Sequence, residues 1–163
     1  DLAGTWDGVT GHAGSVTGAK NAAVYLMMKD IPAEKLCIGS PMYAMALQMK
    51  EIPGGNVVGT AIESYKPTDD EIDEEELSGY IADDVSGYTI KQDGLRYVMD
   101  ETFDQDTVGW HMGYDKNNGA AYLYNDDADS PYYKWYLSYE DALSLQGKLD
   151  YIKEKLLAGI IVW

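Results

Sequence analysis

The densest group of ionisable side chains is the run Thr68-Asp69-Asp70-Glu71-Ile72-Asp73-Glu74-Glu75-Glu76-Leu77. Neighbouring carboxylates can split their pKa values and serve as acid and base. Here, however, Thr68 and Glu71 form a capping box, and carboxylates suit the positive end of a helix, so the run reads as a solvated helix start. A second cluster, Asn125-Asp126-Asp127-Ala128-Asp129, offers the oxygen ligands that calcium takes. It lacks the glycine and terminal glutamate of an EF-hand loop and reads as a plain acidic loop. The single cysteine, Cys37, cannot form an intrachain disulfide. In the apolar run Leu36-Cys37-Ile38 it is expected as a buried core residue rather than a nucleophile. Taken alone, Asp1 reads as a terminal aspartate in solvent, Tyr43 as a turn tyrosine and Trp163 as a core tryptophan.

Charge narrows the partners. A formal net charge of −16 repels phosphate backbones and anionic lipid, which excludes nucleic-acid and membrane-surface roles. A neutral polysaccharide is indifferent to such a field. Fourteen tyrosines suit a sugar-binding surface, and suit half-buried strands equally well. No apolar stretch approaches the ~20 residues of a membrane span, and none has the layout of a signal peptide. At 163 residues the chain is long enough to build a core.

The elements that must position these residues follow from periodicity. A glycine-rich loop passes through Trp6, Gly8, Gly11, His12, Gly14 and Gly18; Ala22, Ala23, Leu26 and Met27 then predict a helix over 19–29, stopped at Ile31-Pro32. Leu36-Cys37-Ile38 predicts a short buried strand ending in Gly39-Ser40-Pro41. Together these form a βα unit of a parallel α/β protein. The middle, 44–137, breaks that alternation. Gly87-Tyr88-Thr89-Ile90, Tyr97-Val98-Met99 and Ala121-Tyr122-Leu123-Tyr124 read as antiparallel strands separated by Gly, Asp and Asn. Ser138, with Asp141 three residues on, is expected to cap a last helix whose buried stripe is Ala142, Leu145, Leu149, Ile152 and Leu156. Gly159-Ile160-Ile161-Val162-Trp163 then reads as a strand covered on both faces, and both ends fall where a domain is expected to continue.

The end segments carry a resemblance. Asp1-Leu2-Ala3-Gly4 followed by Gly11-His12 resembles the sixth strand and loop of glycoside hydrolase family 18 chitinases, of whose Met-x-Tyr-Asp motif only the last residue, Asp1, is present. Gly39-Ser40-Pro41-Met42-Tyr43, preceded by Tyr25-Leu26 and Ile31-Pro32-Ala33-Glu34-Lys35-Leu36, resembles Gly-x-Pro-x-Tyr-Gly-Arg at the seventh strand. Tyr114-Asp115 and Ala120-Ala121-Tyr122-Leu123-Tyr124 resemble the end of the family's α+β insertion. Ser138-Tyr139-Glu140-Asp141, Lys148 and the terminal strand with Trp163 look like the last helix and eighth strand. The stretch 50–108 matches only in length and character.

The resemblance implies an α/β fold, the C-terminal portion of a (β/α)8 TIM barrel with an α+β chitinase insertion domain. Residues 1–43 would hold barrel strands six to seven, 44–137 the insertion domain, and 138–163 the last barrel helix and strand eight. A whole barrel needs about 200 residues or more, so the N-terminal part of the same barrel is an implied partner. Strands left without it would offer open edges, and the isolated chain is expected to associate. The implied activity is that of a secreted, extracellular enzyme cutting chitin or N-acetylglucosamine oligosaccharide by substrate-assisted retaining hydrolysis. In that scheme a glutamic acid protonates the glycosidic oxygen while the N-acetyl carbonyl attacks the anomeric carbon. The glutamate closes an Asp-x-x-Asp-x-Asp-x-Glu run that this sequence does not contain. The chain alone is therefore expected to be inactive.

By the same resemblance Asp1 would assist the acid by like-charge repulsion, Tyr43 would line the cleft, and Trp163 would be the floor on which the sugar stacks. No cofactor or metal is implied. One departure stands out: Ala44-Met45 replaces Gly-Arg, which removes guanidinium donors. Two other readings remain open. One is a lectin-like family 18 protein that binds chitooligosaccharide without cutting it, distinguished by the fourth-strand motif. The other is an autonomous interaction module, which requires 44–137 to fold alone.

Overall fold

The structure is a computed structural model, and it describes residues 8–41, 43–64, 88–91, 109–130 and 132–162. Helix α1 (Val16–Met27) starts where the Ser15 hydroxyl accepts the Gly18 N–H, three residues before the expected start. The cap is hidden in sequence by the glycines around it. After α1, Asp30 turns the chain at φ 62°, and a 3₁₀ turn, Ala33–Lys35, leads into β1 (Cys37–Ser40).

Strand β1 pairs in parallel with β8 (Gly159–Val162), Cys37 opposite Gly159 and Ser40 opposite Val162. Helix α2 (Ala142–Lys155) lies with α1 on one face of this pair, closing a core of Ala23, Leu36, Ile38, Tyr151, Ile152 and Leu157. Each large side chain in such a core contributes about 1.5–3 kcal/mol. Cys37 departs from expectation: it is exposed. Side chains alternate along a strand, so Ile38 and Ser40 turn towards the helices and Cys37 turns away. β8 departs likewise, with Ile161 and Val162 at least half exposed, because the helices cover one face of the pair among the described residues.

The cap of α2 is Asp141, not Ser138. The Ser144 N–H donates to Asp141 Oδ1 at 2.7 Å, and the Asp141 N–H donates back to Ser144 Oγ at 3.0 Å. The buried stripe accordingly becomes Ser144, Lys148, Tyr151 and Ile152, while Leu156 ends the helix exposed, in the left-handed region at φ 54°.

Between the parallel strands in chain order comes an antiparallel sheet of β2 (Tyr43–Met49), β3 (Ile62–Ser64), β4 (Tyr88–Lys91), β5 (Trp110–Asp115), β6 (Ala120–Asn125) and β7 (Trp135–Tyr139). Its order is β3-β2-β7-β6-β5, with β4 also paired to β2. The strands expected at 87–90 and 121–124 are β4 and β6. Those expected at 97–99, and the acidic run 68–77, lie outside the described residues. One face of the sheet buries Ala44, Ala46, Leu123, Trp135 and Leu137; the other buries Leu47, Met49, Tyr136 and, from outside it, Val57. With both faces covered, all five residues of β7 are buried.

The β5–β6 hairpin turn docks on α1. Val16 and Thr17 N–H groups, unpaired within the helix, donate to Gly119 O at 3.3 Å and Asn118 O at 3.0 Å. Gly119 has φ 66°, and a Cβ there would lie 2.8 Å from Val16 Cβ. Gly119→Ala is expected to cost about 1–3 kcal/mol through strain and this clash, read as a lowered midpoint in urea unfolding; an unchanged midpoint would show that the turn is not clamped.

Candidate functional site

Two buried polar clusters hold the segments that carry the expected site. The first lies at the carboxyl end of β1. The Ser40 hydroxyl donates to Glu140 Oε2 at 2.8 Å, and Lys148 Nζ donates to the same oxygen at 2.5 Å and to Gly39 O at 3.2 Å. Lys148 is 1% exposed and Glu140 5%. Glu140 stands between the end of β7 and the Asp141 cap, and Lys148 faces it from within α2. The second carboxylate oxygen, Glu140 Oε1, is buried without a partner among the described residues. Gly14 completes the packing, since a Cβ there would lie 3.2 Å from Pro41 Cδ and 3.3 Å from Lys148 Nζ. A cavity of about 370 Å³ runs beside this cluster between α1 and β1. Its walls are chiefly aliphatic, and among the described residues Lys148 is its one charged lining residue, so these walls offer few partners to a sugar hydroxyl.

The second cluster joins the loop before α1 to the sheet. Backbone bonds lay that loop along the segment after β2, with Thr10 N–H donating to Thr60 O and Thr10 Oγ1 donating to Val57 O at 2.6 Å. This sets buried His12 with Nε2 3.0 Å from Asp115 Oδ2 and Nδ1 3.4 Å from the Tyr136 hydroxyl. An ionised carboxylate only accepts, so Nε2 carries the proton. Asp115 also receives the Asn118 side-chain amide at 2.8 Å and the Asn117 N–H at 2.9 Å. Burial pushes its pKa up, but the hydrogen bonds from Asn118, His12 and Asn117 outweigh burial and bring it down to about 2. Burial, followed by Tyr122 and Asp115, raises the Tyr136 phenol well above the ordinary range, so it stays a neutral donor.

The family model described as Glycosyl hydrolases family 18 matches residues 1–163. The chain belongs to that family. Chitinase B of Serratia marcescens is 24% identical over 204 aligned positions, which take in all of this chain and 38% of that protein. Among solved structures, the Rhizomucor miehei chitinase RmChi1 superposes with a TM-score of 0.73 at 23% identity, covering 100% of this chain and 46% of the other. A plant class V chitinase mutant from Cycas revoluta, in complex with (GlcNAc)3, gives 0.69 at 20% identity, covering 100% and 39%. The chain thus spans less than half the length of these family 18 proteins.

Of the residues that the family resemblance singles out, Asp1 and Trp163 lie outside the described residues, and Tyr43 is described by its backbone, which opens β2 opposite Lys91. The structure does bring together the ends of the strands that lead to two of them, since Ser40 and Val162 are in register. Met45, where the family has arginine, is 2% exposed in the sheet. In the acidic loop, Asn125 Oδ1 accepts the Asp127 N–H and Asp127 Oδ1 accepts the Asp129 N–H, both at 3.0 Å, while Asp126 pairs with His111 at 2.8 Å. Among the described residues no group of His, Cys, Asp and Glu is arranged to hold a metal. Sequence reasoning missed the roles of His12, Glu140 and Lys148. A lysine inside a helix's apolar stripe is the signal that points to the last.

The Asp115 cluster has a pH signature. Its folded pKa, about 2, lies below the ordinary 3.8, so its contribution is present above that ordinary value and is lost as pH falls through about 2. Asp115→Asn should lower stability at neutral pH by about 1–2 kcal/mol and converge with wild type near pH 2. Denaturant melts from pH 7 to pH 2 check this; a constant gap between the two proteins would remove Asp115 from the account.

Proposed function

We propose that this chain forms one wall of the sugar site of a secreted family 18 chitinase, the last three strands of a (β/α)8 barrel with the insertion domain between strands seven and eight. In this division residues 1–43 and 138–163 belong to the barrel and 44–137 to the insertion. The carrying observation is the register of Ser40 with Val162: the parallel strands preceding Tyr43 and Trp163 end level with one another. In barrels of this class, sites lie at the carboxyl ends of the strands. A family 18 relative solved with (GlcNAc)3 supports N-acetylglucosamine oligosaccharide as the ligand.

In this reading Trp163 stacks under the sugar bound at the cleavage point, and Tyr43 supplies a phenol at the cleft wall. Asp1 raises the pKa of a neighbouring glutamic acid by like-charge repulsion, which keeps that acid protonated near neutral pH. The acid comes from outside these 163 residues, which contain no Asp-x-x-Asp-x-Asp-x-Glu run. The substrate's own N-acetyl carbonyl is the nucleophile, so retention needs no second protein carboxylate as attacking group. One observation favours binding without hydrolysis: buried Met45 cannot supply the donors of the arginine it replaces.

The 163-residue chain should show no turnover of a fluorogenic chitobioside, because without a general acid roughly 10²- to 10⁴-fold of rate is lost from that step alone. Activity that co-purifies with the chain and vanishes on replacing one of its own carboxylates would overturn the assignment. In the full-length protein, Trp163→Ala should weaken chitotriose binding about tenfold and abolish the accompanying tryptophan fluorescence change. Unaltered affinity would return Trp163 to the core.

A further inference from the structure

We propose that the buried Glu140–Lys148 pair is the positioning element of the sugar site, setting the end of β1 and with it the approach of Tyr43. This rests on the reading of the site given above. Lys148 holds the Gly39 carbonyl, and Glu140 holds the Ser40 hydroxyl, so the last two residues of β1 are fixed from α2 and from the β7–α2 connection at once. Tyr43 follows Ser40 by three residues, and Val162, just before Trp163, is in register with Ser40. Gly14, in the loop that follows Asp1, packs on the same lysine. The end of β1 and the loop before α1 therefore meet at one ion pair.

Stability does not account for the pair. Removing two charges from water costs more than a buried pair reliably returns, and apolar residues of similar volume are often as stable or more so. Here the cost is raised further, because Glu140 Oε1 is buried with no donor among the described residues. What an apolar pair cannot do is hold a carbonyl and a hydroxyl at fixed places. Neither side chain is expected to touch sugar: Ser40 turns, like Ile38, to the helix-covered side of β1, and the pair lies behind the strand.

The test uses the full-length protein and chitotriose. Glu140→Leu with Lys148→Met removes the charges together, which offsets the loss of partners at Ser40 and Gly39, so the thermal midpoint should stay close to that of the wild type while the Kd for chitotriose rises about tenfold. A pair with a merely structural role would not give that combination. Equal stability with wild-type affinity overturns the proposal. Should the double variant not fold, Ser40→Ala leaves the ion pair intact and frees only the strand end; it should weaken binding several-fold, and unchanged affinity overturns the proposal as firmly. The two readings fail differently. A wild-type protein that does not bind chitotriose removes the sugar site and the positioning role together, whereas binding that neither substitution affects removes the positioning role alone.

Discussion

The unpaired N–H groups at the start of α1 are the constraint on which the rest of the structure depends. A helix cannot satisfy its first turn internally, and here the partners are carbonyls borrowed from the β5–β6 turn, about a hundred residues further along the chain. Thr17 adds its hydroxyl to Asn117 O at 3.0 Å. Once that turn is seated, Asp115 at the end of β5 faces His12, and Ala13 N–H donates to Ser138 Oγ on β7 at 2.9 Å. The sheet and the helices are thus joined by hydrogen bonds whose geometry is directional, where an apolar contact would allow sliding.

Two charged clusters divide the work of that joint. Asp115 is saturated with donors and partly wet, and its ionisation is favoured. Glu140 is the opposite case, a carboxylate with one oxygen engaged by Ser40 and Lys148 and the other without a donor among the described residues. The first cluster contributes to holding the sheet on α1. The second orders the end of β1. Around them tyrosines fill the remaining polar volume: burial, followed by Asp141, raises the Tyr139 pKa to about 12, so it packs as a neutral ring.

Much of the fold is legible in the sequence because periodicity carries it. The α1–β1 unit, the α2–β8 unit and the antiparallel character of 88–91 and 120–125 all follow from spacing, and the family follows from ordered short motifs. What periodicity does not carry is which face a neighbour covers. Leu36-Cys37-Ile38 looks uniformly apolar, yet alternation exposes Cys37. Nor does it choose between two caps. Ser138 and Asp141 both suit a helix start, and the pairing of Ser138 with Met45 and Tyr122 in the sheet decides in favour of Asp141. The candidate site is legible only through resemblance, because Asp1, Tyr43 and Trp163 taken alone are ordinary residues. His12 stays hidden because Asp115 lies 103 positions away in the chain, and the grip of Lys148 on β1 because Gly39 lies 109 away.

The parallel register of β1 with β8 also has a kinetic side. Its partners, such as Cys37 and Gly159, lie far apart in the chain, so the entropy of closing that loop must be met before the pairing returns anything. The hairpin of β5 and β6 and its neighbour β7 join segments close in sequence and can zip early. During synthesis the antiparallel sheet can therefore assemble while β1 waits, its backbone edge open, for a strand not yet made. The unpaired edge of β1 is open over that interval, and such edges are what make partly folded chains prone to associate.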